Sequence, residues 1–233
     1  MDNQLAYDRP IVEDFNRLSS EHKKVIEWVG HGKQVFEAAC HTGYISAWLQ
    51  KNGCIVTGAE LFEPALEKAR PFLKSAILGD LESEEVWAQI SRDQYDVVLY
   101  MHILEHLVNP EKVLERTRDI LKPGGSVIIC LPNVSNWSDR WKMFRGHFEY
   151  TDVGVMDKTH LKFYNYFTAP KMIESCGFTV KEYCGDSWKV RFNILPETNR
   201  FFSRINDHFN RVMHYFLSPN MTDRVGMYLI TKS

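Results

Sequence analysis

Long apolar runs are missing from this sequence: none approaches the ~20 residues a helix needs to cross a bilayer. The opening, MDNQLAYDRP, shows no basic stretch leading into an apolar one, so it does not read as a signal segment. Charge of one sign is missing too. Lys+Arg 28 against Asp+Glu 30 leaves a formal charge of −2, which supplies no field to gather nucleic acid or an anionic membrane. Cysteine is sparse: Cys40, Cys54, Cys130, Cys176 and Cys184 form neither a CxxC pair nor a disulfide-like array. Three of them lie in apolar runs, where cysteine behaves as a small apolar residue. The expectation is a cytoplasmic protein with no membrane and no nucleic-acid partner.

What is present suits one sizeable core: 233 residues, 44% hydrophobic and 25% charged. From Val35 the chain alternates apolar runs with amphipathic segments. QVFEAA precedes a helix from Gly43 with Tyr44, Ile45, Trp48 and Leu49 on one face. CIVTGAE precedes a helix near Pro64, and SAILGD a helix over Glu84 to Ile90. After YDVVLYM, Asn109-Pro110 offers an N-cap and a first-turn proline, and Pro123-Gly124-Gly125 a stop. SVIICLP follows. Runs apolar throughout suit parallel strands covered on both faces. With two later strands, GFTVKEYC and RVGMYLITK, the prediction is an α/β fold, an open, doubly wound, mostly parallel seven-stranded sheet. The expected organisation is an N-terminal helical arm over 1–30 lying across the site mouth, then one domain over 31–233. That domain carries an aromatic cap at 134–168 and a helical insertion at 195–218. The insertion bears an apolar stripe of Phe201, Phe202, Ile205, Phe209, Val212, Met213, Phe216 and Leu217, expected to pack on its own domain, with a lid or a homodimer surface as the alternatives.

Glycine is scarce where such a sheet would need it. In VFEAACHTGYIS the strand-to-helix turn has Ala39 and His41 where a dinucleotide fingerprint has its first two glycines, and Tyr44 where it has the third. That argues against NAD and FAD. An acid ending a strand followed by small-x-x-x-Gly fits the loop around the methionine half of S-adenosylmethionine (SAM). Glu37, Ala39, His41 and Gly43 occupy that pattern. Glu60, 23 positions after Glu37, ends the second run, where a carboxylate can accept both ribose hydroxyls. Asp80 and Leu81 end the third, placed for adenine's edge and face. Ala39 is tolerable if its φ stays negative. The His41 ring either donates to the SAM carboxylate or swings out to solvent.

Over residues 30 to 185 these motifs, with YDVVLYMHILEHLVNPEKVLERTRDILKPGGSVIICLPN and GFTV, resemble the class I SAM-dependent methyltransferases. The resemblance implies SAM as cofactor, with Glu37, Ala39, Gly43, Glu60, Leu61, Asp80, Leu81 and Met101 as its contacts. His41 is added from its place in the loop. Methyl transfer is an in-line displacement at an activated carbon, so alignment and water exclusion carry most of it, and a hydroxyl acceptor gains from a base. His102 and His106, past the fourth run, and His160 in KTHLKFY are the candidate catalytic residues. H-x-x-E-H also matches an inverted zinc-protease string, but that motif belongs within a helix. His102, Glu105, His106 and His160 resemble the divalent-metal set of ubiquinone-biosynthesis O-methyltransferases and small-RNA 3′-end methyltransferases, with His102 replacing a Glu. The preferred expectation is metal-free: Glu105 and His106 cap or brace the next helix.

The segment from Asn133 to Phe167 is dense in Trp137, Trp141, Phe144, Phe148, Tyr150, Phe163, Tyr164 and Tyr166, with nearly balanced charge. A closed pocket for a small metabolite or glycan is expected rather than an RNA groove. FEYTDVGVMDKTHLKFY resembles a segment of bacterial methyltransferases of polysaccharide and secondary metabolism. The leading expectation is methyl transfer to a hydroxyl, an amine being second. The alternatives are a SAM cyclase releasing methylthioadenosine, suggested by the altered loop, and a non-catalytic scaffold.

Overall fold

The computed structural model describes residues 14–92, 94–186, 200–216 and 218–233; the side chains at 200, 210, 211 and 213–216 also lie outside the description. In chain order the elements are α1 (Ser20–Val29), β1 (Gln34–Ala38), α2 (Tyr44–Lys51), β2 (Ile55–Glu60), α3 (Glu63–Ala69), β3 (Ser75–Leu78), α4 (Glu84–Trp87) and β4 (Tyr95–Met101). Then follow α5 (Pro110–Ile120), β5 (Leu121–Pro132), α6 (Trp137–Phe144), α7 (Thr168–Ser175), β6 (Phe178–Gly185), α8 (Arg200–Phe216), α9 (Pro219–Thr222) and β7 (Val225–Lys232).

The seven strands form one sheet in the order β3-β2-β1-β4-β5-β7-β6. The first five are parallel, and β7 runs antiparallel between β5 and β6. Strand side chains alternate between two cores because successive residues point to opposite faces. Phe36, Val98, Tyr100, Val127 and Ile129 meet Val113, Leu114, Met172 and Ile173 on one face. Val35, Val97, Leu99 and Ile128 meet Val25, Ile26, Ile45 and Leu49 on the other. Tyr100 is fully buried because its hydroxyl is 2.6 Å from that of Thr117, which in turn donates to the Val113 carbonyl.

Several local expectations are corrected. Helix α4 is a single turn ending at Trp87 rather than at Ile90, and Ile90 joins the core from the loop beyond it. Helix α5 ends at Ile120, ahead of Pro123, because β5 already begins at Leu121. Helix α7 was not anticipated, since its apolar positions, Ala169, Met172 and Ile173, span barely two turns. Asn109 occupies the N-cap of α5 but its side chain caps nothing. Instead Glu82 accepts the backbone N–H groups of Val108 (2.9 Å) and Asn109 (2.7 Å). Within the C-terminal stripe Phe201 and Val212 are exposed, while Phe202, Ile205 and Phe209 are half-buried. Residues 195–199 and Leu217 of the expected insertion, and 1–13 of the expected arm, lie outside the described residues.

Glu82 therefore anchors the entry to α5 from a neighbouring loop. Glu82→Ala should lower stability by about 1 kcal/mol, as for the loss of a helix cap, with the urea midpoint as the readout. An unchanged midpoint would remove Glu82 from the account of how α5 begins.

Candidate active site

Strand order reverses between β1 and β4, because the chain lays β2 and β3 to one side of β1 and β4 to the other. The carboxyl ends of those two strands diverge into loops there, leaving the crevice where parallel sheets take ligands.

The β1 loop is wound more tightly than its residues favour. Ala39 (φ 54°), His41 (φ 47°) and Gly43 (φ 77°) all adopt left-handed backbone. The expected negative φ at Ala39 is thus corrected: the turn keeps its shape and accepts the strain of two side chains. Gly43 has no substitute, since a Cβ there would lie 2.9 Å from the Ala69 Cα. Cys40 is buried under the turn, and its sulfur occupies space left by Gly58. Glu60, at the end of β2, compensates for the strain. Its carboxylate accepts the N–H of His41 (2.8 Å) and of Phe62 (3.0 Å). A carboxylate offers about four acceptor positions, so two stay available for ribose hydroxyls.

Glu37, inside β1, is buried and accepts a hydrogen bond from Ser46 on α2. Burial, opposed by the Ser46 bond and aided by the like charge of Glu60, pushes the Glu37 carboxyl up to about 7. A cationic sulfonium nucleoside placed here would relieve that repulsion. His41 is half-exposed, Leu61 and Asp80 are exposed, and the Asp80 carboxylate accepts the Glu82 N–H at 2.8 Å. Leu81 is buried in the main core beside the α4 region. Met101 is half-buried and packs against the core on the α1 face.

Beyond β4, His102 also has a positive φ (52°), and a 3-10 turn over Leu104–His106 follows. His102 Nε2 lies 2.6 Å from the Glu21 carboxylate of α1, and its Nδ1 lies 3.5 Å from Glu105. Burial opposes the charge on His102, but the carboxylates of Glu21 and Glu105 outweigh it and raise its pKa well above the usual imidazole range. In this pairing His102 is a donor and not a base.

Glu105 does not cap α5. Its backbone carbonyl accepts the N–H groups of Leu161 and Lys162, fixing the cap segment, while its carboxylate is fully buried with neither oxygen hydrogen-bonded. That corrects the expected bracing role for the side chain; the chain leading into α5 is held by Glu82 through the amides of Val108 and Asn109. One ligand atom from each of Glu105, His106 and His160 lies within 4.8 Å of the others. His160 Nδ1 is 3.1 Å from the Val155 carbonyl, and His106 Nδ1 is 3.3 Å from the Thr159 carbonyl. A carbonyl only accepts, and the Thr159 hydroxyl, 3.1 Å from His106 Nδ1, already donates to Asp157, so each Nδ1 carries the proton and each Nε2 keeps a lone pair. Burial lowers the pKa of His160 against the pull of Glu105, keeping the ring neutral. Two oriented imidazoles around an unsatisfied buried carboxylate can hold a divalent cation. His102, expected in this set, stands outside it with Glu21.

The aromatic cap is open rather than closed. Trp137, Trp141 and Phe144 stack along α6, and Phe144 is 81% exposed. Phe148, Tyr150 and Phe163 are exposed as well, and only Tyr164 of the eight is buried. Sequence reading missed Glu21 and Ser46. A polar Ser46 among Ile45, Ala47 and Leu49 was a readable signal; Glu21, 81 positions from His102, gave none.

Comparison with known proteins places these features in context. A family profile described as a methyltransferase domain matches residues 7–183. A ubiquinone biosynthesis O-methyltransferase of Shewanella halifaxensis is 27% identical over 175 residues, covering 73% of this chain and 72% of that protein. One from Azoarcus is 34% identical over 128 residues, covering 52% of this chain and 55% of its own length, so that match spans little more than half of the relative. A SAM-dependent methyltransferase structure from Archaeoglobus fulgidus superposes with a TM-score of 0.62 at 17% identity, covering 92% of each chain. Magnesium protoporphyrin IX methyltransferase from Synechocystis, solved with bound SAH, gives 0.59 at 14% identity, covering 91% of this chain and 82% of that one. At such identities the structures speak for the fold.

Two outcomes follow from the strained loop and its carboxylates. Ala39→Gly should raise stability by about 1 kcal/mol by relieving the left-handed φ, read from the denaturant midpoint. Between its ordinary 4.5 and about 7, folded Glu37 holds a proton that the unfolded chain has released. Stability contributed at this site is therefore full at low pH and falls as pH rises through that window. Denaturation at about pH 5 and about pH 8 should show wild type losing on the order of 3 kcal/mol more than Glu37→Gln. Equal losses would mean that the carboxyl titrates normally.

Proposed function

Because the chain belongs to the methyltransferase-domain family and is a class I SAM-dependent methyltransferase, we propose that it methylates a hydroxyl of a small molecule beside Glu105, His106 and His160. The observation that carries this reading is the Glu105 carboxylate, wholly buried, without a hydrogen bond, and facing two imidazoles whose Nε2 lone pairs are free. The imidazolium of His102, 3.5 Å away, offsets part of the cost of burying this carboxylate, and a cation or a reacting proton on the side of His106 and His160 would offset more.

Bound SAM supplies a methyl group already activated by the sulfonium. The chain's part is to hold it: Glu60 toward the ribose, Glu37 and the turn of Ala39, His41 and Gly43 beneath the methionine end, Asp80 and Leu61 at the adenine edge, and Met101 at the end of β4. Glu105, His106 and His160 would hold a divalent cation, which would supply Lewis acidity to an acceptor hydroxyl beside them. The Val155 and Thr159 carbonyls orient the two imidazoles for that task, as outer partners of metal ligands do. A second reading keeps the same residues without an ion: neutral His160, its Nδ1–H tied to Val155, takes the hydroxyl proton on Nε2. The exposed aromatic cap supports a flat apolar or sugar-like acceptor resting against its rings. Relatives named O-methyltransferases support oxygen over nitrogen as the acceptor atom, and methyl transfer over cyclisation of SAM.

Mass spectrometry of products from SAM with a panel of phenols, catechols and sugars tests the assignment. O-methylated product with released SAH is expected; methylthioadenosine released from SAM alone would overturn it. Glu60→Ala should weaken SAM binding at least ~10-fold by calorimetry, the scale of a lost charge-assisted hydrogen bond. His160→Gln should leave SAM affinity intact and cut turnover roughly 10²–10⁴-fold. Loss of activity to a chelator, restored by a divalent ion, selects the metal reading; indifference to chelator selects His160 as base.

A further inference from the structure

Glu21 belongs to α1, an element outside the sheet, yet its carboxylate is the best-placed partner of the loop that carries Glu105 and His106. The distance from Glu21 Oε1 to His102 Nε2 is 2.6 Å, and the Glu21 side chain is 13% exposed. His102 sits in left-handed backbone, its amide donating to the Cys130 carbonyl at 3.1 Å, and it turns its other ring nitrogen toward Glu105. The result is a line of groups, Glu21 to His102 to Glu105, running from the helix to the buried carboxylate. The next residue of α1 faces the other loop of the crevice: the His22 ring lies 5.0 Å from that of Tyr44, the first residue of α2 after the strained turn. Leu18, Val25, Ile26 and Val29 seat the rest of α1 and its approach on the core behind them. The two residues of α1 that face the crevice thus touch both of its loops, whereas its apolar face only docks it.

We propose that Glu21 is a positioning residue: acting through His102, it holds the loop over residues 101–106 in the geometry that presents Glu105 and His106, and so makes α1 part of the active site. This rests on the reading of Glu105, His106 and His160 as the place of hydroxyl activation. A side chain at positive φ beside a 3-10 turn needs an external hold to keep one orientation, and the Glu21 bond is charge-assisted. Groups placed behind a ligating carboxylate typically govern its orientation and change ion affinity by roughly 10–100-fold when removed.

Hydrogen exchange on the full chain tests the coupling without any ligand. Glu21→Gln should accelerate exchange at least ~10-fold both in residues 20–29 and in 101–106, segments far apart in sequence. Glu21→Asp should restore protection in part. His102→Asn, a residue that tolerates left-handed backbone, should reproduce the effect from the other side, and the double variant should be no worse than either single one. Glu27→Gln, an exposed neighbour on α1, should change neither segment. Unchanged protection at 101–106 in Glu21→Gln, or additive effects in the double variant, would overturn the proposal. Titration with Co²⁺ supplies the second readout: Glu21→Gln should weaken binding at least ~10-fold while SAM affinity stays level. If wild type binds no Co²⁺, the metal reading falls, and the exchange result still decides the role of Glu21.

Discussion

The Glu60 carboxylate is the fixed point of the crevice. It sits at the end of β2 and reaches sideways to the amide of His41, clamping a turn that two side chains would otherwise disfavour. Without that hydrogen bond the turn has little reason to keep left-handed backbone at both Ala39 and His41, since each costs about 1–2 kcal/mol relative to an ordinary conformation. With it, the amides of the turn and the adjoining strand end converge on one carboxylate that still has acceptor capacity. The same proximity brings Glu37 and Glu60 close enough to disfavour two full negative charges, which a cationic cofactor would settle.

A second constraint operates across the switch point. His102, at the end of β4, is pinned by Glu21 and faces Glu105, while the Glu105 carbonyl receives Leu161 and Lys162 from the cap segment. The loop after β4 therefore joins the N-terminal helix to the segment that brings His160. Its charges are arranged so that the single cation, His102, is shared between two carboxylates. One of those, Glu105, is left with both oxygens free of hydrogen bonds toward His106 and His160. The two halves of the crevice meet at α1, whose residues 21 and 22 face one loop each.

The sheet was legible because its signals are local and repeated. Apolar runs such as Val35-Phe36 and Val97 to Tyr100 serve two cores at once, and the helices between them carry one apolar face each. The strand-end acids Glu37, Glu60 and Asp80 could be picked out because each follows such a run directly. Short or buried features were harder. Helix α7 has too few turns to show a period, and the position of Leu81 beside Asp80 says nothing about which way its side chain turns. The aromatic density of the cap was visible, but its exposure was not, since rings that pack and rings that face solvent have the same composition.

By itself the sequence determined the α/β order of elements, the strand ends that bear carboxylates, and the set of imidazoles available for chemistry, because each follows from residue type and spacing along a few turns of chain. Only the tertiary structure decided the partners. It gave His102 to Glu21 across 81 positions, left the Glu105 carboxylate without a hydrogen bond, tied the chain ahead of α5 to Glu82, and set Ala39 and His41 in left-handed backbone. The physical reason is that charge pairing, burial and backbone strain depend on distances between segments that the folded sheet alone brings together.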